Sequence, residues 1–414
     1  MLFRFSLYGF LKNQKYYEPF LIFAFLEKGL SFFEIGLLIG FRELCINLFE
    51  IPSGAVADLY GKRRAMIFSF VSYIFSFVVF ALSIHVSVLF GAMFFFAIGE
   101  AFRTGTHKAM IFTWLERENR INEKTKVYGF TRSWSQTGSA LSVVIAALIV
   151  IFSGNYSQIF WYSIVPYIFG VINFLGYPAF LDGERKHAVS LKKISTHLLD
   201  TVRDIWKNRA LGRTLVESMT QDGTYSTVKD YLQPILKHAA LAMPLFLYLD
   251  DQKRAAILVG AVYFVLHMVS SYASRSAHRV CTALGGEHPA RQKIWIFEFF
   301  LFLLMIPLFF LNLTSLLIAA FIVLALIQNV WRPIVLALID TTSDAEKGAT
   351  ILSVESQAKS LFVMLAAPLL GHTVDLIRAP NLQFLPIAVF GLLMVGLMLL
   401  TSRRKPVGSV QTIE

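Results

Sequence analysis

The chain is 414 residues long, 56% hydrophobic and only 16% charged, with 39 phenylalanines and a formal net charge of +11, and its mean hydropathy is +0.60. Water-soluble domains carry roughly 25% charged residues, so a soluble enzyme is a poor fit and lipid is the solvent that covers this much apolar surface. The basic excess is assigned to loops held in the cytoplasm rather than to a nucleic-acid partner.

The apolar runs fall at residues 5–27, 32–56, 65–83, 87–113, 127–152, 157–181, 212–248, 255–274, 294–312, 314–339, 349–374 and 383–401. A span needs about 20 apolar residues, and backbone in hydrocarbon must bond to itself, which predicts helices. The expected fold is therefore an all-α integral membrane protein of about twelve transmembrane helices in two pseudo-symmetric six-helix bundles. Two runs are interrupted: the first by Lys12-Asn13-Gln14-Lys15, the seventh by a polar stretch from Glu217 to Gln233. No small-residue cleavage site follows the first run, so it is read as a retained span. Cys45 and Cys281 sit far apart in apolar stretches and support no disulfide framework.

Lys62, Arg63 and Arg64, then Arg117, Arg120, Lys124 and Lys126, then Arg185, Lys186, Lys192 and Lys193 follow even-numbered spans. Loops after odd-numbered spans are poor in bases, which puts both termini in the cytoplasm of a cytoplasmic (inner) membrane protein. The division expected is a bundle over 1–181, a basic cytoplasmic linker over 182–210 that is a candidate surface helix, a second bundle over 211–402 and a tail over 403–414. An internal echo supports it. Tyr16-Tyr17-Glu18-Pro19-Phe20-Leu21 in span one matches Tyr231-Leu232-Gln233-Pro234-Ile235-Leu236 in span seven, and Phe102-Arg103 in span four matches Trp331-Arg332 in span ten. Each match is short; their corresponding positions favour a duplicated architecture.

After span two comes Gly54-Ala55-Val56-Ala57-Asp58-Leu59-Tyr60-Gly61-Lys62-Arg63-Arg64. This stretch resembles the loop signature of the major facilitator superfamily, with Val56 in place of leucine and Leu59 in place of a base. The resemblance implies two six-helix halves working by alternating access, a solute path lined by spans one, four, seven and ten, and a conformational latch in this loop. The latch residues it implies are Gly54, Asp58, Gly61, Lys62 and Arg63. Thr113 stands where the partner aspartate at the end of span four is expected, which leaves Glu116 as its replacement. The Pro-x-x-Gly-Gly of antiporters is missing from span five, which moves weight from a multidrug-type efflux antiporter toward other carriers. A non-transporting sensor or scaffold on the same fold is the rival from another class.

Charges at bilayer depth cost at least ~2.5–3.5 kcal/mol, so those inside the spans need a wet cavity or a partner. Span two carries Glu43, Asn47 and Glu50 on one face; span four carries Glu100, Thr104 and His107 on one face with Arg103 beside them; span five carries Arg132, Ser135, Gln136 and Ser139. Structural pairs such as Glu100 with Arg103, or Glu355 with Lys359, are the bland reading. The functional reading is a solute path through Lys15, Tyr16, Glu18, Glu100, Arg103, Arg132, Asp222, Tyr225, Lys229, Gln233 and Arg332. Its bases suggest a small organic solute with an anionic group, and Glu18 and Asp222 are the candidates for proton coupling, since a carboxylate in a low-dielectric cavity can load a proton. Neither a catalytic constellation, a phosphate-binding loop nor a metal-ligand spacing is present, so no enzyme activity, cofactor or metal is expected. The partners expected are a solute and the lipid bilayer, with the chain acting as a monomer.

Overall fold

The computed structural model describes residues 1–182, 203, 207–242, 246–342 and 348–402. Most of the expected linker (183–202) and the tail (403–414) lie outside them. Every regular element among the described residues is helical: α1 Leu2–Lys12, α2 Leu21–Glu27, α3 Phe32–Tyr60, α4 Lys62–Leu82, α5 Val86–Arg103, α6 Thr106–Arg117, α7 Lys124–Ser153 and α8 Gln158–Leu175. They continue as α9 Arg209–Val228, α10 Leu232–Ala242, α11 Asp251–Ala283, α12 Glu287–Phe310, α13 Thr314–Thr342, α14 Gly348–Leu376 and α15 Leu385–Ser402.

Among the described residues, eight helices are long and apolar enough to cross a bilayer. The remaining predicted spans fall short for identifiable reasons. α3 carries Glu34, Arg42, Glu43, Glu50 and Asp58 along its length, and α15, at 18 residues, is among the shorter of the apolar helices. Spans one and seven are broken. A 3-10 turn at Glu18–Phe20 precedes α2, and another at Lys229–Tyr231 joins α9 to α10. Both breaks fall on the repeated Tyr-x-(Glu/Gln)-Pro segment, where proline removes a backbone donor.

The chain divides into two compact units: residues 1–194 with 233–268, and residues 195–232 with 269–414. In the first unit, Phe20, Phe23, Phe25, Phe70, Phe77, Phe80 and Phe160 are all fully buried and form an aromatic core. Phe68, Phe75, Phe152 and Phe169 point outward, as a surface solvated by lipid chains allows. Backbone groups freed by the break in span one are satisfied by a side chain. The Ile22 N–H donates to Gln233 Oε1 and Gln233 Nε2 donates to the Glu18 carbonyl, each at 3.0 Å. α3 starts on a reciprocal cap, the Glu34 N–H on Ser31 Oγ at 3.2 Å and the Ser31 N–H on Glu34 Oε2 at 2.8 Å. In the second unit the Trp295 and Trp331 rings pack at 5.4 Å, joining α12 to α13.

One expected element needs correcting. Span four is not a continuous helix: α5 stops at Arg103, and α6 starts anew at Thr106. Gly105 between them has φ +76°, a conformation that costs a residue with a Cβ roughly 1–2 kcal/mol. Glu100, Thr104 and His107 therefore do not share one helical face. His107 is buried and Thr104 is exposed.

Candidate functional site

Three groups of the polar residues are built by the fold. The first surrounds the break in span four. Here α1, the α5–α6 junction and α7 enclose a cavity of about 460 Å³, lined among others by Tyr8, Lys12, Arg103, Lys108, Tyr128 and Arg132. Arg103 and Tyr73 both hydrogen-bond the Glu100 carboxylate, so the expected Glu100–Arg103 pair is present. Lys12 Nζ lies 5.5 Å from the centre of the Tyr8 ring, and Lys108 Nζ 5.7 Å from that of Tyr128. Lys12, Lys108 and Arg132 have no carboxylate within salt-bridge distance among the described residues. The opening turn of α6 also borders the cavity through Gly105, His107 and Lys108, and its unpaired backbone N–H groups add positive potential. His107 stacks on Tyr8 at 3.8 Å and its Nε2 is 3.3 Å from the Tyr177 hydroxyl, which fixes the wall.

Of the residues expected along a solute path, Arg103 and Arg132 line this cavity while Lys15, Tyr16 and Glu18 do not. Lys15 and Glu18 face each other at 3.7 Å on the broken segment, and Gln233 is buried there with its amide engaged twice. Lys12 and Lys108 went unrecognised in the sequence. Lys12 was visible only as part of an interruption, and Lys108 becomes a wall residue only once the helix restarts at Thr106.

The second group lies in the second unit. Arg332 on α13 donates from Nη1 to Asp222 Oδ2 at 2.5 Å and to Glu355 Oε1 at 2.6 Å, and from Nη2 to Glu355 Oε2 at 2.9 Å. Gln328 donates to Asp222 at 2.6 Å and Ser218 to Glu355 at 2.7 Å. The bidentate partner of Glu355 comes from another helix, because the fork of an arginine on α13 reaches both carboxylates at once. The Asp222 and Glu355 side chains are almost wholly buried, whereas Arg332 is 37% exposed. Lys229 stands 3.9 Å from Asp230, and Tyr225 is half-buried one turn earlier. Each arginine of the repeated aromatic-arginine dipeptide thus pairs with acid, Arg103 with the partly exposed Glu100 and Arg332 with the buried Asp222 and Glu355.

The third group is the loop between α3 and α4. Gly61 has φ +103°, and a Cβ there would lie 2.7 Å from the Asp182 carboxylate. Asp182 Oδ1 accepts the Arg63 backbone N–H at 2.8 Å, capping the start of α4 from a distant segment. The Arg63 guanidinium donates from Nη1 to the Tyr177 carbonyl at 2.9 Å and stands 4.0 Å from Asp182. The carboxylate facing Arg63 is thus Asp182. Glu116, expected in that role, is exposed near the end of α6, as Asp58 is on the last turns of α3. Gly54 is exposed, and Lys62 opens α4.

These features, apolar helices broken mid-span with a cation-lined cavity and ion pairs among the helices, suit a chain built to sit in a membrane. The sequence pattern described as Major Facilitator Superfamily matches residues 13–367, and the chain belongs to that family. A curated relative, described as an uncharacterized transporter of Buchnera aphidicola subsp. Schizaphis graminum (strain Sg), is 30% identical over 142 residues. That match covers 34% of this chain and 34% of the relative, so the chain spans about a third of the relative's length. Among solved structures, the nucleoside transporter NupG aligns with TM-score 0.80 at 11% identity over 98% of this chain and 99% of that one. The peptide transporter POT, solved in complex with sulfate, aligns with TM-score 0.68 at 12% identity over 97% and 94%. At these identities the likeness shows the fold, a twelve-helix transporter fold. The family is one of transporters rather than enzymes, working on small solutes in a membrane.

Proposed function

We propose that the protein is a secondary active carrier of a small anionic organic solute. It works by alternating access of two six-helix halves, residues 1–181 and 211–402, in the cytoplasmic membrane with both termini in the cytoplasm. The observation that carries the reading is the charge of the first unit's cavity. Lys12, Lys108 and Arg132 border it without a carboxylate in salt-bridge reach among the described residues, beside Arg103 and the positive end of α6. An anion supplies the missing counter-charge, and Tyr8 and Tyr128 offer flat apolar walls to its organic part.

Arg103 is occupied by Glu100, so a solute reaching it must compete with that carboxylate. The same holds for Arg332, with Asp222 and Glu355 as competitors. Glu18 and Asp222 remain the candidates for proton coupling, each taking up a proton as its pair with Lys15 or Arg332 opens. Gly61, Arg63 and Asp182, with Asp58 nearby, are assigned to the latch. Counterflow of labelled solutes into proteoliposomes tests the proposal. Exchange confined to anionic compounds and weakened by Lys12→Gln and Lys108→Gln is the expected result. Equal exchange of neutral and anionic compounds, unaffected by either substitution, refutes it.

A further inference from the structure

α12 crosses an apolar run in which Glu298 is the single charged residue between Lys293 and Phe310. Its side chain is 2% exposed, and among the described residues the one hydrogen bond it receives is from Gln221 Nε2 on α9, at 2.7 Å to Oε2. The surrounding elements offer it no cation among the described residues. On α12 itself, Arg291 bonds Glu217 and Lys293 bonds the Leu284 carbonyl. On α9, Arg213 bonds Glu217, and Asp222 is held by Gln328 and Arg332. Arg332 on α13 is divided between Asp222 and Glu355, and α15 carries no ionisable residue.

A carboxylate buried with a single amide donor has lost its hydration without compensation. Next to it is a complementary defect: Gln221 Oε1 is buried and receives no hydrogen bond. We propose that Glu298 is a proton-binding site, and that the bound proton closes a two-bond acid–amide pair with Gln221. The carboxylate takes a proton from water, the new O–H donates to Gln221 Oε1, and the acid carbonyl oxygen keeps the bond from Nε2. One proton removes the buried charge and satisfies the orphaned acceptor together. Loss of the proton sets a carboxylate oxygen against Gln221 Oε1, two acceptors with no hydrogen between them, so the amide must turn away or water must enter. Gln221 precedes Asp222, whose carboxylate is tied to Arg332, so the proton acts on the stretch of α9 that leads to the break in span seven. The use of this proton in moving solute rests on the transport reading above; its binding does not.

Infrared difference spectroscopy of the full chain in lipid, recorded while pH is stepped through neutrality, tests the site. The wild type is expected to show a protonated carboxylic-acid carbonyl band that disappears in Glu298→Gln. In Gln221→Leu, which keeps the acid but removes its partner, the band should move to the higher frequency of a carbonyl without that hydrogen bond. If Glu298→Gln does not fold, the Gln221→Leu shift decides alone. An acid band identical in the wild type and Glu298→Gln, or unmoved by Gln221→Leu, overturns the proposal. The spectra are read without solute, so failure of counterflow for every compound would sink the carrier reading alone.

Discussion

Gln233→Leu tests how span one survives its break. The side chain is 1% exposed and makes two bonds to the broken backbone, accepting from the Ile22 N–H and donating to the Glu18 carbonyl, both at 3.0 Å. Irregular backbone at bilayer depth persists where neighbouring groups re-satisfy its polar atoms. Leucine fills similar space and can do neither. A buried group left without its partner costs about 1–3 kcal/mol. The Ile22 N–H is fully buried and carries most of that penalty, while the part-buried Glu18 carbonyl has access to water, so the total is about 2–4 kcal/mol. Gln252→Leu is the matched control. Its amide bonds Glu27 at 3.2 Å in an exposed position, where substitutions stay within about 0.5 kcal/mol. Denaturant titration of the purified protein in detergent, with both variants run beside the wild type, measures the difference. A Gln233→Leu midpoint equal to that of Gln252→Leu would show that the break is not held by this amide.

Gly61→Ala should lose about 2–3 kcal/mol, from the positive φ and from the contact with Asp182, whereas Asp182→Ala loses about 1 kcal/mol of capping. The double variant should be more stable than the sum of the two losses, because removing the carboxylate relieves the clash; a double-mutant cycle in thermal unfolding checks this. Arg332→Met leaves Asp222 and Glu355 buried without a counter-charge and should cost about 3–5 kcal/mol, most of it regained in the triple variant with Asp222→Asn and Glu355→Gln, as read by unfolding midpoints. Lys12→Gln and Lys108→Gln should each remove a charge-assisted contact of about 1.5–3 kcal/mol to an anionic solute, and so raise KM roughly tenfold or more in proteoliposome uptake.

Hydropathy alone located the eight helices that, among the described residues, are long and apolar enough to cross a bilayer, because a stretch that must satisfy its own backbone in lipid has few forms to choose from. The breaks in spans one and seven were legible through Pro19 and Pro234 and their repeated neighbours. The break in span four was not, since the predicted run 87–113 holds no proline to mark it and a glycine within a predicted span gives no sign of its φ. Pairing within one helix was readable for Glu100 and Arg103, three positions apart. Pairing across helices was not: Arg63 meets Asp182 over 119 residues, and Ser218 meets Glu355 over 137. Nothing local in α14 distinguishes Glu355 beside Lys359 from Glu355 beside a partner on another helix. Glu298 escaped notice because a lone acid among phenylalanines and leucines barely lowers the hydropathy of its run.

Charge balance within each unit separates what holds the fold from what is available to a solute. In the second unit Arg332 bonds two nearly buried carboxylates, and an arginine so engaged contributes to binding an anion only after giving up a bidentate pair. Arg103 in the first unit is held by one carboxylate, a smaller commitment. Lys12, Lys108 and Arg132 touch rings or cavity space instead of acids. An ammonium over an aromatic face gains roughly 0.5–1 kcal/mol where exposed, less than a charge-assisted bond to an anion returns. An incoming anion should therefore reach the lysines first and Arg103 only by displacing Glu100. That order predicts that removing Glu100 as Glu100→Gln tightens solute binding while slowing its release, measurable as a lower KM together with a lower kcat. A raised KM would instead mean that Glu100 positions Arg103 for the solute rather than competing with it.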